Sequence, residues 1–165
     1  MIIKSINDIN QDELTNFTCG INQLDYFLKS YALLNNQTGY GKTFVLEDNN
    51  EIIGFFTLCS AQVKFENFPN PAKEALPKYP IPCIRIARLA VAKKHQNKGY
   101  GKELLRQAFL KIVAVSFTVG VKLVLVDAKE TSKKFYEKYG FMPLIGNTLT
   151  YYLPVETIIE AIKKA

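Results

Sequence analysis

At 165 residues the chain is close to the commonest domain size, and 48% hydrophobic with 22% charged residues is a balance that builds a core and excludes a disordered chain. No apolar run approaches the roughly 18 residues of a membrane span, and Met1-Ile2-Ile3-Lys4-Ser5 lacks a secretion signal's apolar stretch. The expectation is a single cytoplasmic domain, residues 1–165, without a membrane partner; Cys19, Cys59 and Cys83, odd in number and widely spaced, suggest a reduced compartment and no metal site.

In chain order, Leu24, Phe27, Leu28 and Tyr31 recur at helical spacing and predict a helix over about 22–34. Thr43–Glu47 and Ile52–Leu58 are β-branched and aromatic runs separated by Asp48-Asn49-Asn50-Glu51, the chemistry of a hairpin turn. Pro69, Pro71, Pro77, Pro80 and Pro82 mark a loop. A strand follows over Ile84–Val91, then a basic loop, then a helix from Gly101 whose Leu104, Leu105, Ala108, Phe109 and Ile112 keep helical period. Leu123–Val126 reads as a buried strand, and Asp127–Thr131 leads into a helix with Ser132, Phe135, Tyr136 and Tyr139 on one face. Gly140 suits a left-handed helix cap, Leu149–Leu153 a last strand, and Pro154 the start of a tail helix carrying Ile158, Ile159 and Ile162. The pattern is a mixed α/β domain.

The net charge is +6, and between Leu76 and Lys102 there is no Asp or Glu, while Lys78, Arg85, Arg88, Lys93, Lys94, Lys98 and Lys102 all fall there. Such a stretch attracts the phosphates of a cofactor or a nucleic acid, or is simply a solvated basic surface. Within it, Gln96-Asn97-Lys98-Gly99-Tyr100-Gly101 joins a strand to a helix. A glycine loop at that point leaves backbone N–H groups facing outward at the positive end of the helix dipole, which makes either an anion site or a tight turn. Two other nucleotide motifs fail. Gly39-Tyr40-Gly41-Lys42-Thr43 has Asn36 where a P-loop needs its first glycine and runs into a strand, and a dinucleotide fingerprint needs glycine at Leu104.

Three segments, Ala87-Arg88-Leu89-Ala90-Val91, the Gln96–Gly101 loop as (Gln/Arg)-x-x-Gly-x-Gly, and Phe135-Tyr136-Glu137-Lys138-Tyr139-Gly140-Phe141, resemble in order and spacing the GNAT superfamily of acetyltransferases. The resemblance implies an α/β (α+β) fold with a central mixed, mostly antiparallel sheet, splayed at the cofactor site and flanked by helices. It implies acetyl-CoA, with Leu89, Ala90 and Val91 pairing with the pantetheine arm and Gln96, Asn97, Lys98, Gly99, Tyr100, Gly101 and Lys102 holding the pyrophosphate. It assigns Tyr136 as the acid that protonates the departing thiolate; on spacing alone Tyr136 equally suits a core aromatic. Lys129 stands where many members carry Asn, a departure at the adenine half.

Phe17-Thr18-Cys19-Gly20 with Leu24-Asp25-Tyr26-Phe27-Leu28, the stretch Leu76–Pro82, and Leu153-Pro154 with its tail helix narrow the resemblance to the GNAT toxins of toxin–antitoxin modules. These acetylate the α-amino group of aminoacyl-tRNA, are held by a ribbon-helix-helix antitoxin and commonly form homodimers. Arg85, Arg88 and Lys93 are then the expected tRNA-binding residues. An α-amine of pKa near 8 is partly neutral at pH 7, which suits a strand, Ile84–Val91, that carries no carboxylate base. His95 reads as an exposed loop residue and the cysteines as core. Acetylation of a small or protein amine, and a non-catalytic tRNA- or nucleotide-binding module, stand as alternatives.

Overall fold

In the computed structural model, which describes residues 1–69 and 77–165, the elements run β1 (Ile2–Ser5), α1 (Asn22–Ser30), α2 (Ala32–Thr38), β2 (Lys42–Asp48), β3 (Glu51–Val63), β4 (Ile81–Val91), α3 (Tyr100–Ser116), β5 (Leu123–Asp127), α4 (Lys133–Lys138), β6 (Met142–Leu144), β7 (Asn147–Pro154) and α5 (Val155–Lys164). The strands hydrogen-bond in the order β1-β2-β3-β4-β5-β7-β6. This is the expected GNAT fold. Of the proline-rich loop, residues 70–76, including Pro71 and Leu76, lie outside the described residues.

The chain divides into two compact units, Met1–Cys59 with Ala87–Phe109, and Ser60–Ile86 with Leu110–Ala165. In the first, β1 and β3 flank β2 antiparallel, with Val45 opposite Phe55. The hairpin turn is as the sequence implies: Asn49 and Asn50 take φ of 49° and 61°, the left-handed pair of a type I′ turn that matches strand twist. The predicted helix over 22–34 is two helices. Tyr31 leaves helical geometry at φ −122°, its ring packs edge-on to Tyr26 at 5.4 Å, and α2 continues to a left-handed cap at Gly39. Asn36 on α2 is buried and its Oδ1 accepts from the Thr43 N–H, tying α2 to β2. Phe17, Phe27, Leu28, Val45, Phe55 and Ala90 form this unit's core.

In the second unit β4 pairs parallel with β5 from Cys83–Leu123 to Ile86–Val126, and β7 runs antiparallel to β5 and β6. Its core gathers Val63, Phe68, Ile81, Leu123, Leu125 and Tyr152. Two strands escaped the sequence reading. β1 is four residues long, too short to show a period, and β6 contains Pro143, a residue that removes a ladder donor and suits the sheet edge where β6 lies. Gly140 takes φ +92°, the cap the sequence predicted, and Pro154 is the N-cap of α5.

Candidate functional site

In the first unit the final stretch of β4 delivers the chain into the basic loop. The ladder with β5 stops at the Ile86–Val126 rung although β4 continues to Val91, so among the described residues no rung to β5 engages Leu89, Ala90 or Val91. Gly54 on β3 makes the course of this stretch possible. A Cβ built there would lie 2.6 Å from the Ala90 carbonyl oxygen and 2.7 Å from a Leu104 methyl, closer than packed atoms allow. Ala92 N–H then donates to the Ile53 carbonyl at 2.8 Å, locking the strand's exit.

The loop itself is open. Asn97 and Gly99 take φ of 62° and 90°, turning the chain sharply, and a Cβ at Gly99 would meet nothing within 4 Å. α3 begins at Tyr100, and its first helical bond, Glu103 N–H to the Gly99 carbonyl at 3.2 Å, makes Gly99 the N-cap. A glycine cap has no side chain to occupy the orphan donors, which leaves the amides of Tyr100, Gly101 and Lys102 available to an anion. Of the two glycines singled out in the sequence, only Gly99 uses its conformational freedom; Gly101 lies in the helix's first turn. Lys98 and Lys102 are exposed beside these amides.

Gln96, expected among the cofactor ligands, bonds main-chain carbonyls with its side-chain amide. Its Nε2 donates to the Cys19 carbonyl at 2.8 Å and to the Val91 carbonyl at 3.0 Å, so both amide hydrogens are engaged. His95, expected as an exposed loop residue, is corrected by the structure. It is half-buried, its Nε2 is 3.1 Å from Glu51 Oε1, and its ring meets Tyr100 edge-on at 5.8 Å. Lys94 also pairs with Glu51, holding that carboxyl below the usual carboxylate range. Lys93 is exposed.

The two arginines of β4 have different surroundings. Arg88, in the first unit, lays its guanidinium over the Phe27 ring at 3.6 Å, and among the described residues no carboxylate pairs with it; burial pulls its pKa down. Arg85, in the second unit, forms an ion pair with Asp127, whose other oxygen accepts from Thr150 Oγ1 at 2.9 Å.

Also in the second unit, Tyr136 sits on α4 within a ring cluster, 5.1 Å from Phe135 and 5.5 Å from Phe141 between centroids. It is 7% exposed, and among the described residues its hydroxyl has no hydrogen-bond partner. Burial pushes the phenol up to about 12, so it is a fully protonated donor at neutral pH. Neighbouring Glu137 accepts from the Tyr151 hydroxyl at 3.2 Å. Cys59 is half-buried, and Cys19 and Cys83 are buried, with thiols pushed up by burial to about 11 and about 12, so neither of these two is activated as a nucleophile. Among the described residues no cluster of His, Cys, Asp or Glu suits a metal ion, and no helix is long and apolar enough to cross a membrane.

The acetyltransferase (GNAT) domain family matches residues 39–143. The tRNA-acetylating toxin of Mycobacterium tuberculosis (strain ATCC 25618 / H37Rv) is 33% identical over 131 residues, covering 79% of this chain and 78% of that protein. Among solved structures, AtaT complexed with acetyl-methionyl-tRNAfMet is similar with a TM-score of 0.89 and 25% identity over 98% of each chain. AtaTR bound with AcCoA is similar with a TM-score of 0.84 and 26% identity, covering 98% of this chain and 97% of that one. The strand that outruns its ladder, the glycine-capped helix and these likenesses together show that the chain belongs to the GNAT family of acetyl-CoA-dependent N-acetyltransferases.

Proposed function

We propose that this acetyltransferase transfers the acetyl group to the α-amino group of aminoacyl-tRNA and thereby blocks translation, the whole chain of 165 residues acting as one catalytic domain. The observation that carries the reading is the pairing of an uncapped amide cluster at Gly99–Lys102 with 33% identity to a tRNA-acetylating toxin. The amides of Tyr100, Gly101 and Lys102 fit a diphosphate, with Lys98 and Lys102 adding charge, and the main chain of Leu89, Ala90 and Val91 offers amide partners to the pantetheine arm. Gln96 and Asn97 shape the loop rather than grip the ligand.

Bound acetyl-CoA supplies the thioester carbonyl and a thiolate leaving group. Tyr136 holds the proton at Oη. With its pKa near 12, complete transfer to a thiolate of pKa about 8.5 is well uphill, so its part is a hydrogen bond that strengthens as charge develops on sulfur. The amine's own proton leaves to water, because an α-amine of pKa near 8 needs no strong base. Arg88 and Lys93 meet the tRNA; Arg85 does so only in competition with Asp127. A cytoplasmic location, a homodimer and a ribbon-helix-helix antitoxin belong to the same reading, which the toxin resemblance supports.

Incubation with labelled acetyl-CoA, charged tRNA and free amines tests the reading. Label on the aminoacyl ester of charged tRNA is the expected result; label on free amines or protein lysines alone replaces the substrate assignment.

A further inference from the structure

Five hydrogen bonds, all within the first unit, connect a carboxylate on α1 to the loop that opens α3. Asp25 Oδ1 accepts from the Cys19 N–H at 2.8 Å, and Oδ2 from the Thr18 hydroxyl at 2.9 Å. The Thr18 carbonyl accepts from the Lys93 N–H at 2.7 Å. The Cys19 carbonyl accepts from Gln96 Nε2 at 2.8 Å, and the same nitrogen reaches the Val91 carbonyl at 3.0 Å. Gly20, at φ +90°, turns the chain just after this peptide pair.

The arrangement has a direction. A carboxylate on one side of the Thr18–Cys19 segment fixes its donors, so two consecutive carbonyls face the 93–96 segment, and bonds in such a chain polarise one another. Both hydrogens of the Gln96 amide are taken up by these contacts, and the side chain's remaining oxygen is an acceptor that would repel a phosphate. Gln96 therefore serves the loop's shape. The carboxylate that orients the segment whose Cys19 carbonyl Gln96 bonds lies on α1, far earlier in the chain.

We propose that Asp25 is a positioning residue for acetyl-CoA: through Thr18, Cys19 and Gln96 it holds the end of β4 and the Gln96–Gly99 loop in the geometry that aims the α3 amides at the pyrophosphate. The inference rests on the acetyl-CoA reading of that loop. Asp25 touches no reacting atom, so its loss should weaken donor binding and leave the chemical step nearly intact.

The test measures acetyl-CoA affinity by calorimetry, together with kcat and KM, at a temperature where thermal melts show every variant folded. Asp25→Asn keeps the shape but loses the charge and one acceptor, and Gln96→Met keeps the length but loses both donors. Each is expected to raise Kd and KM for acetyl-CoA about tenfold, the scale of one charge-assisted hydrogen bond, with kcat within about threefold. Gln96→Arg, whose guanidinium can serve both carbonyls, is expected to restore affinity to within about threefold of the parent. The double variant Asp25→Asn/Gln96→Met should bind no worse than about threefold below either single variant, since both cut one chain of contacts. Unchanged Kd in both single variants, additive losses, or a failure of Gln96→Arg to rescue overturns the proposal. If Asp25→Asn does not fold, the Gln96→Met and Gln96→Arg pair decides alone: loss with rescue supports the clamp, and its absence overturns it. A parent protein that binds no acetyl-CoA overturns the donor reading itself.

Discussion

β4 is one strand with two ends that do different work. Its first part, in the second unit, is laddered to β5: Cys83 to Ile86 pair with Leu123 to Val126, and Arg85 is neutralised by Asp127. Its last part, in the first unit, runs on past that ladder to Val91, and Arg88 rests on an aromatic face with no carboxylate paired to it among the described residues. Sequence alternation sets Arg85 and Arg88, three residues apart, on opposite faces of the strand but does not say which of them meets a carboxylate. A strand that outruns its neighbour leaves main-chain groups on that side without a ladder, each an obligatory donor or acceptor still to be satisfied, which is what suits the end of β4 to the proposed pantetheine contact.

The most damaging way to break the contrast is Gly54→Val. The added carbon meets the Ala90 carbonyl at 2.6 Å, and that backbone oxygen cannot swing aside as a side chain would. A stability loss of about 3 kcal/mol in urea, with acetyl-CoA binding abolished, is expected. Tyr136→Phe probes the second unit without touching β4. Acetyl transfer should fall about a hundredfold in kcat at unchanged acetyl-CoA affinity, while stability stays within about 1 kcal/mol, because the hydroxyl has no partner among the described residues. A normal kcat in that variant would remove Tyr136 from the mechanism.

The same residue predicts an alkaline signature. Its folded pKa, raised to about 12, lies above an unfolded value near 10, so between those two pH values the unfolded chain loses a proton that the folded chain keeps. Its stabilising contribution is therefore complete below pH 10 and is lost as pH rises toward 12, by about 2 to 3 kcal/mol in total. Cys19 and Cys83 act in the same direction, so the measurement is the difference between the parent and Tyr136→Phe in denaturation midpoints across that range. The smallest effects separate the arginines. Arg88→Ala should lower kcat/KM for charged tRNA about tenfold, whereas Arg85→Ala, already paired and partly solvated, should lower it less than about threefold. Equal losses would erase the distinction between the strand's ends.

Much of the proposed site was legible because its signals are local. The loop at Gln96–Gly101 and the Phe135–Phe141 segment are short patterns in which neighbouring residues set backbone conformation, and the left-handed Gly99 and Gly140 behave accordingly. Gly54 carried a readable signal, a glycine inside a β-branched run, although its purpose needed the Ala90 carbonyl to be placed. The helix break at Tyr31 had no such signal: the apolar period continues through it, and the break is visible only in the turn of the backbone.

Sequence alone determined the fold class and the family and singled out the Gln96–Gly101 loop, since hydrophobic period and glycine spacing act over a few residues and the motifs' order along the chain is a one-dimensional fact. Tertiary structure decided which identical groups are free. Whether Arg85 or Arg88 meets a carboxylate, whether Gln96 grips a ligand or a carbonyl, and whether Tyr136 titrates near 10 or near 12 depend on neighbours brought close only by folding, and on the water that folding removes.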